Sequence, residues 1–226
     1  MISQKLYFKM NIRAKAFLFD LNGTMIDDMN YHTTAWRNIL NNDLGANFTR
    51  NEVKAQMYGK NEEVLTRFFG KGYFTRERMK ELSFEKEKRY QQAYLPKIAL
   101  INGLKEFLTD AKAAGIKMAI GSAAIPFNIN FVLNNLQLQD YFPVIVSADD
   151  VSISKPHPDT FLQCAAALGV DPKDCIVFED APKGVESALN AGMRTFVLTT
   201  THPKEDFEQY NNVIGFANDY AGIFIE

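Results

Sequence analysis

Four apolar residues, Ala16-Phe17-Leu18-Phe19, run without a break and stop at Asp20. A run this short with no polar interruption reads as a buried strand. The pattern then turns helical and stays so up to Pro96. Trp36, Ile39, Leu40 and Leu44 recur at helical spacing, with Gly45 as the stop. Thr49-Arg50-Asn51-Glu52 fits a capping box and starts a short helix that Gly59 ends. Val64, Leu65, Phe68 and Phe69 form another apolar face before Gly70, and residues 75–94 read as a long, highly charged helix carrying Met79, Leu82 and Tyr90. No strand is expected between Asp27 and Pro96.

Beyond Pro96 helices and strands alternate. Helices are expected at 104–114, 127–136, 160–168 and 184–191, three of them stopped by a glycine. Strands are expected at 117–120, Val144–Val146, 175–178, 195–198 and 213–216. This alternation predicts an α/β fold with a parallel sheet covered on both faces. The early strand must join that sheet, since a single strand cannot stand alone. The helical block is then an insertion at residues 28–97, dividing a core made of residues 1–27 and 98–226. Placed just after Asp20, it would sit over the edge of the sheet as a lid.

Composition narrows the function more than the fold. With 226 residues and 46% hydrophobic content the chain can bury a normal core. A net charge of −2 gives no electrostatic reason to expect nucleic acid or an anionic membrane as partner. Residues 1–13 read as a polar lead-in with no apolar run fit for a signal peptide or membrane anchor. Cys164 and Cys175 have no second pair beside them, which argues against zinc and against a structural disulfide. Both are expected to pack as small apolar residues in a reducing cytoplasm.

The candidate chemistry sits where the strands end. The first ends in Asp20, the second in Gly121-Ser122, and the third of interest in Glu179-Asp180. In a parallel sheet these ends lie on one edge, where such folds bind ligands. Several carboxylates together repel unless a cation is shared, and hard oxygen ligands without a His or Cys cluster favour Mg²⁺. Gly23 lets the chain turn tightly after Asp20, and the Thr24 hydroxyl is suited to a phosphate oxygen. Lys155, in Ser154-Lys155-Pro156, could hold both a nucleophilic carboxylate and a phosphate.

Asp20-Leu21-Asn22-Gly23-Thr24, Gly121-Ser122, Lys155-Pro156 and Phe178-Glu179-Asp180, in this order, resemble the four motifs of the haloacid dehalogenase (HAD) superfamily. The resemblance covers nearly the whole chain and is closest to the subgroup with a small helical cap that includes β-phosphoglucomutase. It implies a Rossmann-like core with an inserted α-helical cap. It makes Asp20 the nucleophile that becomes an aspartyl-phosphate, and Ser122, Ala123 and Lys155 the holders of the phosphoryl group. Asp20, Asp180 and Glu179 would ligate Mg²⁺, with Asn22 adding its backbone carbonyl. His32 matches a cap-hinge histidine of the mutases, and Asp27 and Asp28 fall in the hinge.

Two departures from the family pattern matter. Asn22 stands where the family's phosphatases and mutases carry a general acid/base. Glu62 stands where the mutase has a phosphate-binding arginine, with Lys60 close by but two residues out of register. The expected function is a cytoplasmic, Mg²⁺-dependent phosphohydrolase of a small phosphorylated metabolite, monomeric or weakly homo-oligomeric. A β-phosphoglucomutase-like sugar phosphomutase is the alternative within the class. A phosphometabolite-binding protein that lost turnover with Asn22 is the alternative outside it.

Asn22 generates a direct test. A general acid contributes about 10²–10⁴-fold by protonating a poor leaving group. Asn22→Asp should therefore raise kcat/KM for sugar phosphates more than for activated esters such as nitrophenyl phosphate. Equal ratios on the two ester types would assign the acid role to another group.

Overall fold

The computed structural model describes residues 10–226. The part of the polar lead-in at residues 1–9 lies outside the described residues. The elements in chain order are β1 (Met10–Ile12), β2 (Ala16–Phe19), α1 (Met29–Arg37), α2 (Arg50–Ala55), α3 (Asn61–Phe69), α4 (Arg76–Tyr94), α5 (Leu104–Ala113), β3 (Lys117–Gly121), α6 (Pro126–Leu136), β4 (Val144–Val146), α7 (Asp159–Leu168), β5 (Cys175–Glu179), α8 (Pro182–Asn190), β6 (Arg194–Leu198), β7 (Val213–Ala217) and β8 (Ile223–Ile225).

Six strands form a parallel sheet in the order β4-β3-β2-β5-β6-β7. The early strand β2 joins it at the centre, and its burial explains its unbroken apolar sequence. Strand alternation sends Phe17 and Phe19 to one face, where they pack with Phe107, Phe178 and Tyr220. Ala16 and Leu18 go to the other face, against Phe161 and Cys164. Helices therefore cover both sides. Cys164 and Cys175 are buried and unpaired. No helix among the described residues is long and apolar enough to cross a membrane.

The inserted helices have a core of their own around Trp36, Ile39, Leu40, Val53, Val64, Leu65 and Leu82. Thr49 and Glu52 form the expected capping box at the start of α2. A π-helical stretch, Asn38–Asp43, extends α1. Both connections of this block cross side by side: Ile26 bridges Leu100, and the Ile101 amide donates to the Met25 carbonyl at 2.9 Å. Met10–Ile12, read from sequence as lead-in, instead pairs in parallel with Ile223–Ile225 as a separate two-stranded sheet.

Phe17 is fully buried, with ring centroids 5.3 Å from Phe107 and 5.4 Å from Phe178. Phe17→Ala should lower unfolding stability by about 3–5 kcal/mol. Urea denaturation checks this, and a loss under about 1 kcal/mol would contradict the packing described.

Candidate active site

Sheet register assembles the site. Phe19 stands opposite Ile120 on one side and Phe178 on the other. Asp20, Gly121 and Glu179 therefore come level at the C-terminal edge. Ser122 follows, its amide donating to Val146 at 2.9 Å. Lys155 reaches in from the segment after β4. Its Nζ donates to Asp20 Oδ1 at 2.7 Å and to Glu179 Oε1 at 2.8 Å, and all three side chains are buried.

The remaining atoms of these acids are also engaged. Glu179 Oε2 accepts the Asp180 and Ala181 amides at 2.9 and 3.0 Å. Asp180 accepts the Thr24 hydroxyl at 2.9 Å and also the Thr201 hydroxyl. Two glycines make room. Gly23, at φ +81°, lies where a Cβ would strike the Asp180 carboxylate, and a Cβ at Gly184 would strike that of Glu179.

Electrostatics follow from burial. Desolvation pushes the Asp20 carboxyl up to about 7; Lys155 pulls against that shift and Glu179 adds to it. Asp180 is raised well above the carboxylate range by burial, then by Glu179 and Asp20. For Lys155 burial favours the neutral amine, yet Asp20 and Glu179 outweigh it and hold the ammonium charged. Asp20, Glu179 and Asp180 each present an oxygen within 4.8 Å of the others. One lysine cannot balance three acids, and this all-oxygen set fits a hard divalent cation such as Mg²⁺. Glu179 is also engaged by Lys155 and two backbone amides.

Asp20, Asn22, Ser122, Ala123, His32, Lys155, Glu179 and Asp180 all line one cavity of about 680 Å³ between the sheet edge and the inserted helices. Three residues expected to contact phosphate or substrate do not line it. The Thr24 hydroxyl, fully buried, is directed at Asp180. Gly23 acts through the space it leaves for that carboxylate. The Lys60 Nζ donates to the Val151 carbonyl at 2.6 Å, which ties insertion to core. Glu62 is also absent from the lining, so it is not the acid that faces the cavity.

The acid of the inserted helices that does line it is Glu87, on α4. Its Oε1 accepts Asn61 Nδ2 at 2.7 Å and Lys86 Nζ at 3.0 Å, and its Oε2 accepts Asn128 Nδ2 at 2.6 Å. Lys86 Nζ also lies 2.7 Å from His32 Nδ1. An ammonium only donates, so His32 Nδ1 accepts from Lys86, and Nε2 lies 3.1 Å from Asn22 Nδ2. Nε2 lies 3.3 Å from Asp28 Oδ2. That same oxygen accepts Asn22 Nδ2 at 2.6 Å and Tyr90 Oη at 2.5 Å. A continuous polar chain thus runs from α4 to the loop after β2.

The fold and these motifs agree with a wider comparison. The family model of haloacid dehalogenase-like hydrolases matches residues 17–198. The chain belongs to the HAD superfamily. It is similar to the β-phosphoglucomutase of Bacillus subtilis, 34% identical over 79% of this chain and 80% of that one. A fructose-1-phosphate phosphatase of Escherichia coli is 29% identical over 80% of this chain and 94% of its own. Among solved structures, β-phosphoglucomutase from Clostridium difficile superposes with a TM-score of 0.78 at 30% identity, covering 89% of this chain and 90% of that one. The HAD chain described here is of the β-phosphoglucomutase-like subgroup.

Sequence reasoning about this HAD site missed Lys86, Glu87, Asn61, Asn128 and Thr201. A signal for Lys86 existed: Leu82, Lys86, Tyr90 and Tyr94 follow at four-residue spacing, which places the lysine inside a buried stripe.

Glu87 gives a pH test. Burial alone would raise its carboxyl, but Lys86, then His32 and the two asparagines, bring it from near 4.5 down to about 2. A depressed carboxyl stabilises the fold above its unfolded pKa and loses that contribution as pH falls through the folded one. Roughly 3 kcal/mol should be present at pH 7 and decline between about 4.5 and 2. Urea midpoints of the parent and Glu87→Gln should differ more at pH 7 than at pH 3. An equal gap at both would refute it.

Proposed function

We propose that this HAD-family protein is a Mg²⁺-dependent phosphohydrolase of a small phosphorylated sugar or related metabolite, with Asp20 as nucleophile. The observation carrying this reading is the buried Asp20–Lys155–Glu179 contact at the floor of the shared cavity. The sugar-phosphate-processing relatives support the substrate class. We take residues 28–97 as the cap and residues 1–27 and 98–226 as the core, and the setting as cytoplasmic, which the two unpaired cysteines support.

An oxygen of Asp20 attacks phosphorus, and the bond to the sugar oxygen breaks on the opposite side. Lys155 favours the ionised form of Asp20 and faces the phosphoryl charge, while Ser122 offers a hydroxyl donor. Water then attacks the aspartyl-phosphate, releasing phosphate and free Asp20, so one water is consumed per ester. Asn22 carries no acidic proton to give near neutral pH, and its amide is committed to Asp28. The departing oxygen therefore takes its proton from elsewhere, which slows esters with poor leaving groups. Asp20, Asp180 and the Asn22 carbonyl would hold Mg²⁺, which when bound supplies positive charge beside the phosphoryl oxygens.

A sugar phosphomutase is the second reading, favoured by the likeness to the Bacillus enzyme. Its mark is interconversion that depends on a bisphosphate activator. A binding protein without turnover would release no phosphate at all.

The deciding measurement is phosphate release from a panel of sugar phosphates with and without Mg²⁺. Release should require the ion and should be abolished by Asp20→Asn, since an amide is a poor nucleophile. A variant retaining most of the parent's steady-state rate would rule out covalent catalysis at Asp20.

A further inference from the structure

The cap wall of the cavity carries a built cluster whose chemistry differs from that of the floor. Glu87 and Asn128 are almost fully buried, yet both line the cavity with Asn61. The three come from different elements, α4, α6 and the start of α3, and converge through the Glu87 carboxylate. A buried carboxylate costs solvation free energy, and a purely structural tie between cap and core could be made more cheaply with amides alone. Carboxylates flanked by carboxamides suit hydroxyl groups, which donate one hydrogen and accept others.

Beside Glu87, the lysines among the described residues that line the cavity wall are already paired with acids. Lys86 is engaged by Glu87 and His32, and Lys155 by Asp20 and Glu179. At the rim Lys183 is paired with Glu186, while Lys54, away from Glu87, donates to the Thr201 carbonyl at 3.4 Å and keeps its charge. An anionic group brought to this wall meets an ionised acid whose counter-charge is already spent, and like charges at close range are strongly disfavoured.

Resting on the phosphohydrolase reading above, we infer that Glu87, with Asn61 and Asn128, reads the end of the substrate remote from the transferred phosphate, accepting an uncharged polyhydroxylated tail and rejecting one that ends in a carboxylate or second phosphate. The preferred substrates are then monophosphates of neutral sugars or polyols. Bisphosphates and phosphorylated sugar acids are excluded by Glu87.

Two ligands of equal carbon number isolate this effect: a hexitol 6-phosphate, and the aldonic acid 6-phosphate in which the terminal CH₂OH is a carboxylate. Calorimetric titration with Mg²⁺ present, on protein carrying Asp20→Asn to prevent turnover, gives a Kd for each. The hexitol phosphate should bind at least about tenfold more tightly. In the Asp20→Asn/Glu87→Gln protein the ratio of the two constants should fall to within about threefold. Taking the ratio within each protein divides out any general weakening. Equal binding, tighter binding of the aldonate, binding of neither, or an unchanged ratio in a folded Glu87→Gln protein would each overturn the inference. The comparison in the protein that retains Glu87 stands even where the second substitution fails to fold. Phosphate release by the parent from nitrophenyl phosphate reports separately on the phosphohydrolase reading, so the two fail independently.

Discussion

Lys155 is the charge on which the arrangement of the sheet edge depends. Three acids, Asp20, Glu179 and Asp180, are each at most 8% exposed. Burying them would be prohibitive without compensation. The lysine bridges the acids that end two adjacent strands, β2 and β5, and so fastens the centre of the sheet across its functional edge. Glu179, turned toward it by two backbone amides, holds the ammonium in place, and Gly184 leaves the space that carboxylate needs.

The inserted helices use the same physics at a second place. Lys86 and Glu87, adjacent in sequence, are both buried, and their charges are met by each other, by His32 and by two asparagine amides. The chain of contacts passes on through Asp28 to Asn22. Asn22, in the core, is thus held by the insertion: Asp28 receives its amide, and Tyr90 of α4 donates to the same oxygen. An amide at position 22 lacks a carboxyl's acidic proton and keeps a donor for Asp28.

Much of this was legible in the sequence because it rests on local pattern. The run Ala16–Phe19, the alternation after Pro96 and the polar strand ends were enough to foresee a parallel sheet with an inserted helical block. Helix limits shifted by one or two residues, as at Pro182–Asn190, because end turns are decided by proline and capping geometry. What stayed hidden depends on distant contacts. Thr24 looks suited to phosphate until the fold brings Asp180 beside it. Met10–Ile12 is too short and too polar to read as a strand until Ile223–Ile225 arrives. Glu87 looks like one more solvated charge on a charged helix, and only the approach of Asn128 from the core makes it a buried one.

The position of β2 has a consequence for how the chain is made. It is the central strand of the large sheet, yet Ala16 pairs with Lys117 and Cys175, 101 and 159 residues further on by subtraction of their numbers. During synthesis the ribosome must deliver the whole helical insertion before the first of these partners exists. This wholly buried strand, with Asp20 just beyond it, is therefore held in waiting while the insertion can already gather around Trp36 and Leu65. Closing so large a loop is slow, and an unpaired apolar strand is open to wrong partners meanwhile. The strand that leads to Asp20 is in this sense written early and completed only after Cys175–Glu179 has followed.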